Sequence, residues 1–125
     1  MTPGPVPRTD ATVTVSLTEF TAHRLRDLPG IARDGVALSR AWWAMPGAIG
    51  VLLYLDPVRK TGGSLSVWEG EADLRRFVGL PRHAAIMRSY RSRVSVRSAI
   101  WQTDHFRTAD AWAQRHERLA AAGGR

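Results

Sequence analysis

Residues 46–78 read PGAIGVLLYLDPVRKTGGSLSVWEGEADLRRFV, and the pattern of this segment indicates the fold class. The mostly apolar run from Ala48 to Leu55 is short for a helix and is bounded by Pro-Gly and Asp-Pro, which predicts a central strand. Residues 56–63 are rich in turn formers and lead into Ser64 to Trp68, where polar and apolar residues alternate as in a second strand. Three acidic residues follow, and negative charge there stabilises the positive end of a new helix. The stretch therefore predicts a β-hairpin followed by a helix.

The residues before this hairpin predict one strand and one helix. Apolar and polar residues alternate strictly from Ala11 to Phe20, as in a half-buried strand. Between Ala22 and Met45 the apolar residues recur at helical spacing. A helix from about Pro29 is the preferred interpretation, because proline suits the first position of a helix. A single kinked helix is the alternative.

The residues after the hairpin complete the pattern. The second helix is interrupted around Gly79 to Pro81 and resumes to about Tyr90, and the alternation from Val94 to Trp101 predicts a fourth strand. The order β-α-β-β-α-β is the ferredoxin-like α+β arrangement, in which a four-stranded antiparallel sheet buries one face under two helices and leaves the other face open. An extra C-terminal helix, about Thr108 to Ala121, could pack against its own domain or against a second copy.

Length and composition predict one domain. The chain has 125 residues, 44% of them apolar, which suffices for a single core. Residues 1–9 hold three prolines without periodicity and are predicted to be a disordered lead-in to a domain at 10–125. The absence of cysteine excludes disulfides and zinc–cysteine sites. No apolar run is long enough for a signal peptide or a membrane span, which predicts a cytoplasmic protein without a membrane partner.

The net charge of +7 raises the question of an anionic partner. Arginine supplies almost all of the positive charge, and the charge is dispersed along the chain. The only suggestion of a basic stripe is a group of four arginines, Arg88, Arg91, Arg93 and Arg97. We therefore expect no nucleic-acid partner, and an anionic small molecule explains the charge equally well.

Two segments carry a family resemblance: residues 46–51, where proline and glycine enter a strand, and residues 65–77, where a strand ends in Trp-Glu-Gly-Glu before a helix with Phe77. They resemble the signatures of antibiotic-biosynthesis-monooxygenase-like and spheroidene-monooxygenase-like proteins, over about residues 11–106. The resemblance implies a dimeric α/β barrel, a homodimer whose protomers pack their open sheet faces together. It also implies a pocket between sheet and helices in each protomer, and a family chemistry that ranges from cofactor-free oxygenation to haem degradation and non-oxidative reactions.

The haem-degrading branch of that family fits this sequence poorly. It uses an asparagine on the first strand, a tryptophan on the second helix and a histidine about ten residues further on. Here the first strand has no asparagine, Phe77 stands at the comparable helix position, and His83 follows it by only six residues. We therefore expect no cofactor, with haem as a disfavoured possibility.

His83 is the first candidate for chemistry. It shares a predicted helix face with Ile86, Met87 and Tyr90, at spacings of three, four and seven residues. A histidine with a pKa near 6.5 can serve as a general base near neutral pH. The alternative is a partly buried structural histidine just after Pro81.

Tyr54 and Arg97 are the other catalytic candidates, as partners for a substrate oxygen. Tyr54 lies on a strand face opposite Ile49, Val51, Leu53 and Leu55, and Arg97 shares a face with Trp101. A dimer-interface tyrosine and a solvated arginine are the alternatives. An aromatic wall for a flat substrate would be formed by Trp42, Trp43, Trp68 and Trp101, and the predicted substrate-binding residues are Trp68, Trp101, Phe77, Met87 and Tyr90.

No metal-ligand spacing, phosphate loop, dinucleotide fingerprint or serine-hydrolase elbow is present in the sequence. The leading hypothesis is a small cofactor-independent, monooxygenase-like enzyme acting on a hydrophobic, aromatic or polyketide-like substrate. A cyclase, isomerase or dehydratase using the same groups is one alternative. A non-catalytic dimeric ligand-binding protein is another.

Overall fold

The computed structural model describes residues 1–7 and 11–123. The elements, in chain order, are β1 (Thr2–Pro3), β2 (Val13–Ala22), α1 (Leu28–Arg40), β3 (Ala48–Asp56), β4 (Thr61–Trp68), α2 (Glu71–Val78), α3 (Pro81–Tyr90), β5 (Val94–Thr103) and α4 (Thr108–Gly123). Short 3₁₀ turns at Leu25–Asp27 and Trp42–Ala44 flank α1. From β2 to β5 the order is β-α-β-β-α-β, with the second helix split in two, so the predicted α+β ferredoxin-like fold is confirmed.

In the part of the chain that the structure describes, the sheet has five strands in the order β1-β3-β4-β2-β5, and all neighbours are antiparallel. The four predicted strands are joined by β1, which pairs Thr2 with Val51 and Pro3 with Gly50 at the edge of β3. The backbone N–H of Gly4 continues this pairing by donating to the carbonyl of Ile49 at 2.9 Å. The disordered lead-in predicted for residues 1–9 is therefore corrected for its first part, while residues 8 and 9 lie outside the described residues.

Proline and glycine set the ends of the helices. Pro29 stands in the first turn of α1, and Pro81 opens α3 directly after the predicted interruption. Before β3, Gly47 has φ of +77°, a conformation that side chains other than glycine rarely adopt. A Cβ atom at Gly47 would also collide with the side chain of Asp73, in the first turn of α2. This glycine therefore lets β3 begin close against α2.

The face of the sheet that was expected to be open is covered by α4. Val13, Val15 and Leu17 of β2 point to this face and are fully buried in a cluster that includes Ala111 and Leu119 of α4. The C-terminal helix thus packs against its own domain. Among the described residues, this face is therefore not open as the predicted barrel dimer requires.

A β-bulge at Ile49 changes the phase of β3. Ala48 pairs with Trp68 and Gly50 with Val67, so Ile49 is the extra residue between two consecutive partners. As a result Ile49 joins the α4-side core together with Tyr54. The sequence prediction that placed Ile49 on the opposite face is wrong for this reason.

The other face of the sheet carries α1, α2 and α3. Two separate apolar clusters lie there. One contains Trp42, Trp68 and Leu74 at one end of the sheet, and the other contains Ala22 and Ile31 at the opposite end. Within the described residues, no helix is long and apolar enough to cross a membrane.

Candidate active site

An aromatic cluster lies between the sheet and the helices where β4 ends. It consists of Trp42, Trp68, Phe77 and His83. The indole rings of Trp42 and Trp68 meet edge to face with centroids 5.0 Å apart, and Phe77 lies 5.1 Å from the first and 5.2 Å from the second. The imidazole of His83 packs edge to face on Phe77 at 4.9 Å. Three residues predicted from the sequence, together with Trp42 of the predicted aromatic wall, therefore form one site.

The two indole N–H groups of this cluster differ in their hydrogen bonding. Nε1 of Trp68 donates to Oγ of Ser66 at 2.9 Å. Trp42 is only 2% exposed, and its Nε1 is buried without an acceptor among the described residues. A buried donor without a partner costs about 1–3 kcal/mol. An oxygen atom of a ligand would remove that cost.

His83 is suited to accept a proton near neutral pH. Burial lowers its pKa below the ordinary 6.5, and a hydrogen bond with the backbone of Val78 opposes that shift in part. Because desolvation disfavours the imidazolium, the ring is neutral at physiological pH. A neutral imidazole beside the aromatic rings can act as a general base, although its lowered pKa makes it a weaker one.

Tyr54 and Arg97 lie on the other side of the sheet, with Glu19. In this Glu19 cluster the Tyr54 hydroxyl donates to Oε1 of Glu19 at 3.1 Å, and Nη2 of Arg97 donates to Oε2 at 2.7 Å. Glu19 is 6% exposed, and both of its oxygens are occupied. Burial and the neighbouring Glu19 carboxylate raise the pKa of Tyr54 well above its ordinary value of 10. The phenol is therefore a committed hydrogen-bond donor and stays protonated.

The side chains of β4 alternate between the two faces of the sheet, and this places the aromatic cluster and the Glu19 cluster on opposite faces. Tyr54 pairs with Gly63 in register, and Trp68 of the aromatic cluster lies on the opposite face of the same strand. His83, on the helix side, therefore does not share a site with Tyr54 and Arg97 within this protomer. The predicted catalytic trio is divided, and only His83 lies in the aromatic cluster.

The other predicted binding residues are also dispersed. Trp101 lies on the α4 side, with the Arg118 guanidinium 4.8 Å from its ring centroid. The Tyr90 hydroxyl donates to Oδ2 of Asp34 at 2.8 Å at the far end of the helix face. Met87 is 41% exposed, and Trp43 of the proposed wall is 71% exposed. The four tryptophans therefore do not form one wall.

Two residues of these sites were missing from the sequence-based set, Glu19 and Ser66. Glu19 continues the buried face of Val13, Val15 and Leu17 at period two, so its burial was readable from the alternation. Ser66 precedes Trp68 by two residues, which puts both side chains on one strand face. Among residues 1–7 and 11–123, no group of three His, Asp or Glu side chains is placed to hold a metal ion.

Comparisons with known proteins place the fold in one structural class. No family model matches the chain, and no curated protein matches it in sequence. Solved structures do match, and they include SnoaB, a cofactor-independent oxygenase from Streptomyces nogalater, at 17% identity and TM-score 0.59, covering 78% of this chain and 98% of that one. A candidate antibiotic biosynthesis monooxygenase from Deinococcus radiodurans matches at 12% identity and TM-score 0.62, with coverages of 76% and 94%.

A third match, protein SO0527 from Shewanella oneidensis, has 9% identity and TM-score 0.66, with coverages of 76% and 93%. At identities this low, the structural matches show a shared fold alone. The resemblance to antibiotic-biosynthesis-monooxygenase-like proteins inferred from residues 46–51 and 65–77 is thus confirmed at the level of the fold.

Proposed function

We propose that this protein is a cofactor-independent, monooxygenase-like enzyme that binds a planar aromatic substrate at the aromatic cluster. The observation that carries the proposal is the buried N–H of Trp42, which lies between aromatic rings and has no acceptor in residues 1–7 and 11–123. The neutral imidazole of His83 packs on the same cluster. The shared fold with the oxygenase SnoaB supports the reaction class. Fold alone does not define chemistry, so the proposed reaction rests on what these residues can do.

The proposed reaction needs only the substrate and dioxygen. For an anthrone-type substrate, His83 accepts a proton from the ring CH₂ group, and the carbonyl becomes an enolate whose oxygen accepts the N–H of Trp42. The carbanion carbon gives its electron pair to O₂ and forms a C–O bond, and His83 returns the proton to make a hydroperoxide. Loss of water leaves a new carbonyl. One substrate and one O₂ yield one quinone and one water.

The enolate is the species that the site stabilises best. A donor that is buried and unpaired before binding gains most when negative charge develops on its acceptor. The neutral form of His83 supplies the base, and the partly buried ring of Phe77, which packs on Trp68, supplies apolar surface for the substrate. The reaction therefore uses no group outside the aromatic cluster.

Oxygen uptake with anthrone tests the proposal. Trp42→Phe keeps an aromatic ring but removes the donor, and we expect it to lower the enzymatic rate by about 10²-fold, as for loss of one oxyanion donor. His83→Gln should also lower the rate of oxygen uptake, because it removes the imidazole that accepts the substrate proton. Trp43→Phe, at an exposed position outside the cluster, is the matched control and should retain the wild-type rate. Equal rates for Trp42→Phe and Trp43→Phe would contradict the proposal.

The alternatives make different predictions in the same assay. A cyclase, isomerase or dehydratase would turn over its substrate under anaerobic conditions, whereas the oxygenase needs one O₂ per product. A non-catalytic binding protein would quench its tryptophan fluorescence on binding anthrone without consuming oxygen. Haem binding, which stays disfavoured, would give a Soret band on titration with haem.

A homodimer and a cytoplasmic location belong to the same proposal. The covering of the sheet face by α4 means that a dimer requires another contact surface or a displacement of α4. Light scattering of the full chain and of a chain ending before α4 tests this. A dimer that forms only without α4 would indicate the barrel packing implied by the family resemblance.

A further inference from the structure

A second candidate binding site lies at the other end of the helix layer from the aromatic cluster. A surface cavity of about 570 Å³ is lined by His23, Arg24, Arg26, Asp27, Ser92 and Arg93. The first four residues belong to the segment between β2 and α1, and the last two to the turn between α3 and β5. This basic cavity is of the size that small-molecule ligands occupy.

Contacts within the protein hold the two walls of the basic cavity together. The backbone N–H of His23 donates to the carbonyl of Arg93 at 2.8 Å. The Arg93 guanidinium lies 3.8 Å from the Asp27 carboxylate, and Nε2 of His23 lies 3.2 Å from Oγ of Ser95. The first two contacts join the two segments, and the third joins His23 to β5. These contacts support the shape of the cavity.

The charges of the basic cavity favour an anion. Three guanidinium groups and one carboxylate line it. Arg93 is paired with Asp27, whereas Arg24 and Arg26 have no carboxylate within 4.0 Å anywhere in residues 1–7 and 11–123. Two guanidinium groups without a carboxylate partner can each offer a fork of N–H donors, which matches the oxygens of a phosphoryl group.

We propose that the basic cavity binds the phosphoryl groups of a small molecule, with a diphosphate as the best match to Arg24 and Arg26. A long nucleic acid is a poorer match because the arginines converge on one concave site instead of forming an extended stripe. The site is separate from the aromatic cluster. The two sites lie at opposite ends of β2. Thr14 pairs with Trp68 of the aromatic cluster, Ala22 precedes His23 of the basic cavity, and the strand between Thr14 and Ala22 is about 26 Å long.

Calorimetric titration of the full-length protein with inorganic pyrophosphate tests this site. We expect saturable one-to-one binding that weakens as salt concentration rises, because the contacts are ionic. The double variant Arg24→Gln with Arg26→Gln should weaken binding at least tenfold. Arg40→Gln is the matched control, since it removes one exposed arginine about 18 Å away at the other end of α1, and it should bind within twofold of wild type.

Two further titrations separate the possible sources of phosphate. Phosphatidylcholine vesicles containing a phosphoinositide report on a lipid headgroup, and a short DNA duplex reports on nucleic acid. Binding of pyrophosphate that the double variant loses supports the proposal, and additional loss of vesicle binding identifies a lipid as the source. The proposal is wrong if the double variant binds pyrophosphate like wild type, or if only the duplex binds.

Discussion

The two faces of the sheet differ in how their cores are packed and in whether their buried polar groups are hydrogen-bonded. On the α4 side, mostly aliphatic residues form one continuous core together with Trp101, and the buried carboxylate of Glu19 has both oxygens occupied. On the α1–α3 side, the described residues form two separate clusters, and one of them contains a buried N–H without an acceptor among those residues. Complete packing contributes stability, while an unsatisfied group leaves energy available to a ligand. The difference predicts that the α4 side contributes most of the stability, and it supports the proposed ligand binding on the α1–α3 side.

The largest expected effect is at neighbouring residues of β2 that point to opposite faces. Leu17→Ala removes a fully buried side chain from the α4-side core and should lower the free energy of unfolding by about 3 kcal/mol. Ser16→Ala, on the helix side, removes only a small hydroxyl and should cost less than about 1 kcal/mol. Urea unfolding measures both. Equal losses would show that the two faces contribute alike.

A second comparison lies within the aromatic cluster. Trp42→Phe and Trp68→Phe each remove one ring of an indole, but only Trp68 loses a hydrogen bond, to Ser66. Trp42→Phe instead removes an unpaired buried donor. We expect the free energy of unfolding of Trp68→Phe to be lower than that of Trp42→Phe by about 2 kcal/mol. The first variant loses a hydrogen bond, whereas the second removes a buried donor that had no acceptor. The reverse order, measured by urea unfolding, would mean that the Trp42 N–H is satisfied in the folded protein.

The Glu19 cluster gives a third, smaller effect. Glu19→Gln removes the charge that faces Arg97, and because the Arg97 side chain is half exposed the loss of stability should be only about 1 kcal/mol. The same change should lower the pKa of Tyr54 towards its ordinary value, since the Glu19 charge and hydrogen bond both raise it. Ultraviolet absorbance of the phenolate follows this titration.

The control is Asp34→Asn, which removes a carboxylate that raises the pKa of Tyr90, the other tyrosine of the chain. It should leave the Tyr54 titration unchanged. A Tyr54 titration that Glu19→Gln does not move would show that burial alone holds its proton.

The smallest expected effect is a dependence of stability on pH at His83. Its folded pKa lies below the unfolded value of 6.5, so between these two values the unfolded chain binds a proton that the folded chain does not. This contribution to stability is present above pH 6.5 and is lost as the pH falls through the folded pKa. His83→Gln should remove this part of the acid dependence, and His116→Gln, at an exposed position of α4, should leave it in place. Parallel pH profiles for wild type and His83→Gln would contradict the assignment.

The sequence predicted those elements whose apolar residues recur at a regular spacing or whose ends are marked by proline and glycine. The alternation of β2 and β5, the apolar run of β3 and the interruption before Pro81 were all readable, because burial on a strand or helix imposes a regular spacing. The strand β1 was not, since its contacts with β3 are backbone hydrogen bonds that leave no side-chain pattern. The bulge at Ile49 was hidden for a similar reason, because an extra apolar residue does not interrupt an apolar run.

The candidate site was only partly predictable, and tertiary packing explains why. Periodicity shows which residues share a face of one element, as Arg97 and Trp101 do, but it does not show which helices cover that face. His83 and Tyr54 were therefore grouped although the sheet separates them. The contact of Trp42 with Phe77 joins a 3₁₀ turn to a helix that is distant in sequence. The unpaired N–H of Trp42 appears only when all its neighbours are in place.

The short strand β1 also affects how the sheet can meet other chains. It covers part of the β3 edge with two residues, one of them a proline that has no N–H to offer to a further strand. The opposite edge, β5, is ten residues long and is the last strand of the order. Growth of the sheet by strand addition is thus hindered at one margin and open at the other. Shortened versions of the protein that lack β1 would expose both margins and would be prone to edge-to-edge aggregation.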